Sequence, residues 1–166
     1  MKFLNSLRAL VLLAILLVFS EGVLAKDLHE RLGLGFKNNT ALSLPSIAVV
    51  YYAVKDFAFT GGAGINTEKD YSAYQVHAGM RKIIFMENNL NFYTGAQLGL
   101  SSFETPTSGR NSGVEILAVL GAEFFLSGLE NLAFTFESGV GISSVKDTRF
   151  RTVGDDPFRA GVIFYF

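Results

Sequence analysis

Hydrophobic and polar side chains alternate along most of this chain, with a period of two residues and with turn-forming residues at regular intervals. A period of two indicates β-strands that have one apolar face, whereas an amphipathic helix would repeat every 3.6 residues. No stretch after Lys26 sustains the helical period. Eight strands are predicted, at about 29–37, 46–54, 57–66, 73–86, 90–103, 114–126, 132–145 and 158–166.

The predicted connections alternate between short and long. The tight ones are Lys55-Asp56, Glu87 to Asn89 and Ser127 to Asn131. The longer ones are Asn38 to Pro45, Thr67 to Ser72, Glu104 to Gly113 and Lys146 to Pro157. Short connections between consecutive strands favour antiparallel neighbours, so the pattern predicts an up-and-down arrangement.

Each strand separates large apolar residues from small or polar ones, because successive side chains point to opposite faces. In the run 132–145, Leu132 and Phe134 share one face, while Ala133 and Thr135 lie on the other. The run 46–54 is an exception, because it is apolar on both faces and its register stays open.

Two kinds of barrel show this alternation. A soluble barrel buries its large apolar residues, whereas a membrane barrel turns them toward lipid. Eight strands enclose a space that side chains only just fill, so a Leu, Phe and Val lining would overcrowd it while Gly, Ser and Thr would fit. The sequence therefore predicts an all-β fold, an eight-stranded antiparallel up-and-down transmembrane β-barrel.

A few charged residues share the small-residue face and are expected in the lumen. Buried charges are costly unless they are paired, and this set contains three of each sign. The candidate ion-pair residues are Arg31, Arg81, Arg159, Glu115, Glu123 and Glu137.

Composition and charge narrow the partners. The 166 residues are 49% hydrophobic and 17% charged, with a net charge of −1 and no cysteine. Without a basic surplus we expect no nucleic-acid partner, and without cysteines neither a disulfide nor a thiolate metal site. No cofactor and no metal site are expected.

The first 25 residues have the organisation of a secretory signal peptide. Lys2 and Arg8 precede the apolar run Ala9 to Phe19, and Val23-Leu24-Ala25 places small residues at a cleavage site. The alternative is a membrane anchor, which would need a longer apolar run. We expect cleavage after Ala25, with residues 26–166 forming the barrel domain.

The final segment RAGVIFYF resembles the C-terminal β-signal of bacterial outer-membrane proteins. Arg159, Gly161, Phe164 and Phe166 occupy the positions of that motif. The resemblance implies recognition by the barrel-assembly machinery, through pairing of an exposed edge strand.

Residues 29–166 resemble the OmpA/OmpX-type barrels of the "outer membrane protein beta-barrel" grouping, within the wider porin family. The resemblance implies a monomer in the outer membrane of a Gram-negative cell envelope, surrounded by lipid and lipopolysaccharide. Both termini would then be periplasmic and the longer loops external.

The expected role is structural or one of surface interaction, supporting membrane integrity through loop-mediated contacts. The alternatives are a narrow porin-like channel for small solutes and a lipid-modifying enzyme. Enzyme activity is not expected, since His29 and His77 are the only histidines and no serine lies two residues after His77. In the longest predicted loop Arg149 and Arg151 flank Phe150, so they are candidates to contact lipopolysaccharide phosphates, or else part of a solvated loop of mixed charge.

Overall fold

A computed structural model describes residues 27–38, 44–107, 109–145, 147–152 and 158–166. The predicted signal peptide lies outside the described residues and stays a prediction. In the described part of the chain, no helix is long and apolar enough to cross a membrane.

The described residues form nine antiparallel strands in one closed sheet. They are β1 (Leu32–Asn38), β2 (Pro45–Val54), β3 (Phe57–Glu68), β4 (Tyr71–Glu87), β5 (Leu90–Thr105), β6 (Gly109–Leu126), β7 (Leu129–Ser143), β8 (Arg149–Thr152) and β9 (Arg159–Tyr165). Consecutive strands pair from β1 to β7, and β9 closes the ring by pairing with both β7 and β1. Because β8 and β9 pair with successive parts of β7, they are two parts of one barrel position. The predicted eight-stranded antiparallel barrel is confirmed.

The eighth position differs from its prediction because a further strand, β8, also pairs with β7. Strand β8 pairs with the end of β7, Thr152 opposite Val140, and β9 begins with Arg159 opposite Glu137. The sequence predicted β9 alone and assigned residues 149–152 to the loop Lys146 to Pro157. Four residues are too short for a periodic signal, and the pairing to β7 that defines them is a tertiary contact.

Two hairpins are longer than predicted. Strand β3 continues to Glu68 and β4 begins at Tyr71, while β5 continues to Thr105 and β6 begins at Gly109. Polar cross-strand contacts extend the second hairpin, because Arg110 pairs with Glu104 at 3.0 Å and the hydroxyl groups of Ser102 and Ser112 are 2.8 Å apart. We call residues 65–74 and 102–112 the tall hairpins.

The barrel is inside-out, as predicted. On β6 the side chain of Ile116 is 59% exposed while Glu115 and Leu117 are buried, and on β5 Leu98 is 54% exposed while Gln97 is buried. The outside of the ring is therefore covered by large apolar side chains, although some, such as Leu117, lie inside.

The register that the sequence left open in β2 is resolved in the structure. Ser46, Ala48, Val50 and Tyr52 point into the lumen, and Ile47, Val49 and Tyr51 point outward. The inward Val50 and Ala48 lie opposite Gly33 and Gly35 of β1, which add no side chain to the same space.

Glycines on the inner face make room for tyrosines. A Cβ atom at Gly33 would lie 2.6 Å from Cε1 of Tyr165, and one at Gly121 would overlap the ring of Tyr93. A larger residue at either position would displace the tyrosine that fills the lumen.

The inside-out arrangement predicts that introducing arginine on the outer face of β6 lowers the folding stability by an amount that depends on its position along the strand. Replacing Ile116 with Arg places a charge in the apolar belt and should cost about 2–4 kcal/mol of folding free energy, whereas Ser112→Arg, on the same face of β6 near its polar end, should cost about 0–1 kcal/mol. Denaturant unfolding in lipid vesicles measures both. Equal losses would contradict the assignment of Ile116 to the lipid face.

Candidate functional site: the polar lumen

The lumen contains three layers of polar contacts, of which the lower layer lies near the short turns. Its centre is an ion pair between Arg81 of β4 and Glu123 of β6, with Nη2 2.8 Å from Oε1. The same Nη2 donates to the hydroxyl oxygens of Tyr52 at 2.8 Å and Tyr165 at 2.7 Å. Both tyrosines donate in turn to the Glu123 carboxylate, at 3.0 Å from Tyr52 and 2.5 Å from Tyr165.

Aromatic rings enclose the guanidinium of the lower layer. Cζ of Arg81 lies 4.6 Å from the ring centroid of Tyr93 and 5.0 Å from that of Tyr52. All these side chains are buried. Burial removes water from the charged pair, and the mutual attraction of two ions alone would not offset the cost of this desolvation. The cation–π contacts and the multiple hydrogen bonds help to offset it.

The middle layer is built on one carboxylate, that of Glu137 on β7. Nζ of Lys37 lies 2.5 Å from its Oε2, and Nη1 of Arg159 lies 3.5 Å from the same oxygen. The hydroxyl of Tyr93 donates to Oε1 at 2.7 Å, and Arg159 also donates to Oε1 of Gln97 at 2.7 Å. Tyr93 therefore connects the lower and middle layers, since its ring contacts Arg81 and its hydroxyl contacts Glu137.

The upper layer lies toward the tall hairpins. Nη2 of Arg151 is 2.7 Å from Oε1 of Glu115, and Nε2 of Gln75 is 3.5 Å from its Oε2. Glu115 is buried and Arg151 nearly so. Each layer thus has a glutamate with an arginine partner.

The structure brings together most of the predicted ion-pair residues. Arg81 contacts Glu123 and Arg159 contacts Glu137, while Glu115 lies in the lumen with a different partner from the predicted set. Arg31 is placed differently from its prediction, because it precedes β1 at the end of the barrel and donates to Oδ1 of Asn131 at 2.9 Å.

Two lumen cations were missed in the sequence, Lys37 and Arg151. Lys37 lies on β1 with the same parity as the inward Gly33 and Gly35, so strict alternation could have identified it. Arg151 could not be found in this way, because its strand was not predicted.

Arg149 and Arg151 were both candidates to contact lipopolysaccharide, but the side chain of Arg151 points into the lumen. Its partner on β7 is Gly141, an inward position, so the alternation of β8 turns Arg151 toward Glu115. Arg149 stays exposed, and Phe150 between them points outward with 71% exposure.

The residues of the predicted assembly signal divide between the two faces of β9. Arg159 and Gly161 point inward and Phe164 points outward. Phe166 follows the strand and is exposed, with its ring centroid 5.1 Å from that of Phe164. Both edges of β9 are paired in the closed ring. An edge-pairing partner would therefore have to bind this strand before closure.

The two histidines lie in different parts of the barrel. His29 is exposed before β1, where its backbone N–H donates to Asp27 Oδ1 at 3.0 Å. His77 is buried in the lumen on β4, opposite Gly62 and Gly99. In the described ranges, no group of three or more His, Cys, Asp or Glu side chains could hold a metal ion.

The side chains fill the middle of the lumen. A cavity of ≈ 10 Å³ lies there, with Lys37, His77, Arg81 and Glu137 among its lining residues. That volume is about the minimum needed for one water molecule. The ion-paired side chains therefore occupy the space through which a solute would have to pass.

An antiparallel ring of eight strands with an apolar exterior and an ion-paired lumen is the architecture of the small eight-stranded outer-membrane barrels. No protein-family model matches the sequence, and a search of curated proteins gives no significant match. Among solved structures, the N-terminal β-barrel domain of OprF from Pseudomonas aeruginosa aligns over 83% of this chain and 98% of that domain. The TM-score is 0.64 at 12% sequence identity.

Two further solved structures align over a similar extent. Neisserial surface protein A covers 81% of this chain and 90% of its own, with a TM-score of 0.44 and 14% identity. Ail, the attachment invasion locus protein of Yersinia pestis, covers 82% and 95%, with a TM-score of 0.41 and 15% identity. The likeness to the OprF barrel shows the fold and leaves the activity to be argued from the chain itself.

The lower layer predicts a large difference between two glutamates that both pair with arginine. Glu123→Gln leaves the buried charge of Arg81 without its counter-ion and should lower the free energy of unfolding by about 3–5 kcal/mol. Glu104→Gln breaks the exposed pair with Arg110 and should cost at most about 1 kcal/mol. Denaturant unfolding of the two variants checks this, and similar losses would argue against a low-dielectric lumen.

Proposed function

We propose that this chain is an integral protein of the bacterial outer membrane, with a structural and surface-interaction role. The observation that carries the proposal is the closed ring whose large apolar side chains are exposed on the outside. Exposed apolar area of this extent in water would be an aggregation hazard, whereas lipid accommodates it. Backbone groups in the ring are paired between neighbouring strands, which is what a membrane interior requires.

Aromatic side chains and the lengths of the connections support one orientation of the barrel in the membrane. Exposed rings gather near the short turns, among them Tyr51, Phe59, Phe92, Phe164 and Phe166. Such rings form girdles at the headgroup level in membrane barrels. Barrels of this kind have short periplasmic turns and longer external connections, so we assign the short turns to the periplasm and the tall hairpins to the exterior.

The tall hairpins are the part of the barrel best suited to surface contacts. Strands β4, β5 and β6 contain 17, 16 and 18 residues, whereas about 9–11 tilted residues cross a bilayer. The excess length would carry the hairpin ends beyond the hydrocarbon. A cleft of ≈ 330 Å³ lies between these ends, with Glu68, Asp70, Tyr71 and Glu104 among its lining residues.

We propose that lipopolysaccharide surrounds the external end of the barrel. Arg149 is exposed at the start of β8 and remains the candidate for a phosphate contact. Replacing Arg149 with alanine should weaken binding to lipopolysaccharide micelles. Equal binding by the variant and the parent protein would show that Arg149 makes no such contact.

The filled lumen favours this role over the channel alternative. A solute would have to displace Lys37, Arg81 or Glu137 from its ion pair, because the central cavity is only ≈ 10 Å³. For insertion, we propose that the barrel-assembly machinery pairs with β9 before the ring closes, with Phe164 and Phe166 presented on its lipid face.

Single cysteines test location and orientation, because the chain has no cysteine of its own. Asp70→Cys lies in the connection between β3 and β4, and Asp56→Cys in the connection between β2 and β3 at the other end. On intact cells, a membrane-impermeant maleimide should label the thiol at position 70 and should label position 56 only after the outer membrane is permeabilised.

The two labelling results separate the possible failures. Labelling of position 56 alone on intact cells would show that the barrel has the opposite orientation in the membrane. Recovery of the protein in a soluble periplasmic fraction would overturn the membrane assignment itself.

A further inference from the structure

Leu28 is fully buried, with 0% exposure, although it precedes the first strand of the barrel. It belongs to a packed cluster with Tyr52, Tyr93, Phe125 and Tyr165, which point into the lumen from four different strands. A leucine outside the sheet therefore contributes to the packing inside it.

Backbone hydrogen bonds hold this segment over the mouth of the barrel. The N–H of Glu30 donates to the carbonyl of Tyr52 at 2.8 Å, and the N–H of Tyr52 donates to the carbonyl of Arg31 at 3.1 Å. The N–H of Arg31 returns to the carbonyl of Leu28 at 3.0 Å, which closes a turn. The side chain of Arg31 adds a contact to Asn131, next to the turn between β6 and β7.

The turn requires an unfavourable backbone conformation. Glu30 has φ of 58°, and among described non-glycine residues it is the one with positive φ. The left-handed region is unfavourable for a non-glycine residue, because its Cβ atom comes close to the following carbonyl oxygen. Such a conformation persists where surrounding contacts over-determine it, and here the buried Leu28 and the bonds to Tyr52 provide those contacts.

Leu28 covers the lower layer of the lumen. The tyrosines in its cluster are those whose hydroxyl groups or rings contact Arg81 and Glu123. An ion pair and its hydrogen bonds are stronger where water is excluded. The turn therefore lies where water from the short-turn end would reach the pair.

We propose that residues 27–31 form an N-terminal plug, an intramolecular cap that closes the short-turn mouth of the barrel and keeps water from the Arg81–Glu123 pair. Withdrawal of Leu28 opens a water path to the lower layer while the middle layer, held by Glu137, remains closed. The plug is part of the barrel domain and does not depend on the membrane orientation argued above.

Cysteine labelling tests whether the plug is seated. Leu28→Cys and Leu129→Cys make the same change, but Leu129 is 54% exposed at the same end of the barrel. In the folded protein a maleimide should react with the thiol of Leu28→Cys more slowly than with that of Leu129→Cys, by about tenfold or more, because reaction at a buried site requires local opening. Equal rates would overturn the plug.

Hydrogen exchange tests what the plug does. In Leu28→Ala, exchange of the hydroxyl protons of Tyr52 and Tyr165 with water should accelerate, while exchange of the backbone N–H of Leu117, deeper in the lumen, stays unchanged. The matched variant Leu129→Ala should change neither. Acceleration at all three sites in Leu28→Ala, or at none, would overturn the proposal, since the first indicates global loosening and the second a mouth that Leu28 does not close.

Discussion

An eight-stranded ring leaves a lumen that side chains only just fill, and this narrow space determines which residues point inward. Glycine at positions 33 and 121 leaves room for the rings of Tyr165 and Tyr93. Many of the large aliphatic residues lie instead on the outer surface, where Ile116 and Leu98 are exposed, although Leu117, Val119 and Ile163 are among those buried inside. An exterior of this kind is suited to hydrocarbon, and this supports the proposed location in a membrane.

Charges inside a narrow lumen are costly unless they are paired. The three glutamates are distributed along the barrel, and each has a cationic partner within the lumen. Glu137 has two, Lys37 and Arg159. Arg159 pairs with Glu137 on the neighbouring strand, whereas the other ion pairs connect β4 to β6, β1 to β7 and β8 to β6. These side chains also lie in the path that a channel would need.

Much of this architecture could be predicted from the sequence, because strict alternation indicates on which face of the sheet each side chain lies. Alternation places Leu132 and Ala133 on opposite faces, and it identifies Arg81 and Glu123 as lumen residues without any knowledge of the distance between them. Alternation does not define the register of a strand that is apolar on both faces. The run 46–54 has apolar residues on both faces, and its register depends on the glycines of the neighbouring strand β1.

Other features depend on tertiary pairing and have no local signal. Strand β8 exists because it pairs with the end of β7, and Arg151 consequently turns inward to Glu115. Arg31 has the parity of the lumen residues but lies before the first strand, so parity no longer decides its direction. Leu28 was unremarkable in the sequence, since its burial results from a turn at Glu30 that returns the chain to the barrel mouth.

The most direct test of the inside-out account is the contact between methyl groups and lipid. In methyl-labelled protein reconstituted in lipid nanodiscs, nuclear Overhauser effects from acyl chains should reach Ile116, Leu98 and Val140 on the outer face. They should not reach Val119, Leu117 and Ile163, which face the lumen. Acyl-chain contacts at the second group, or their absence from the first, would contradict the central claim.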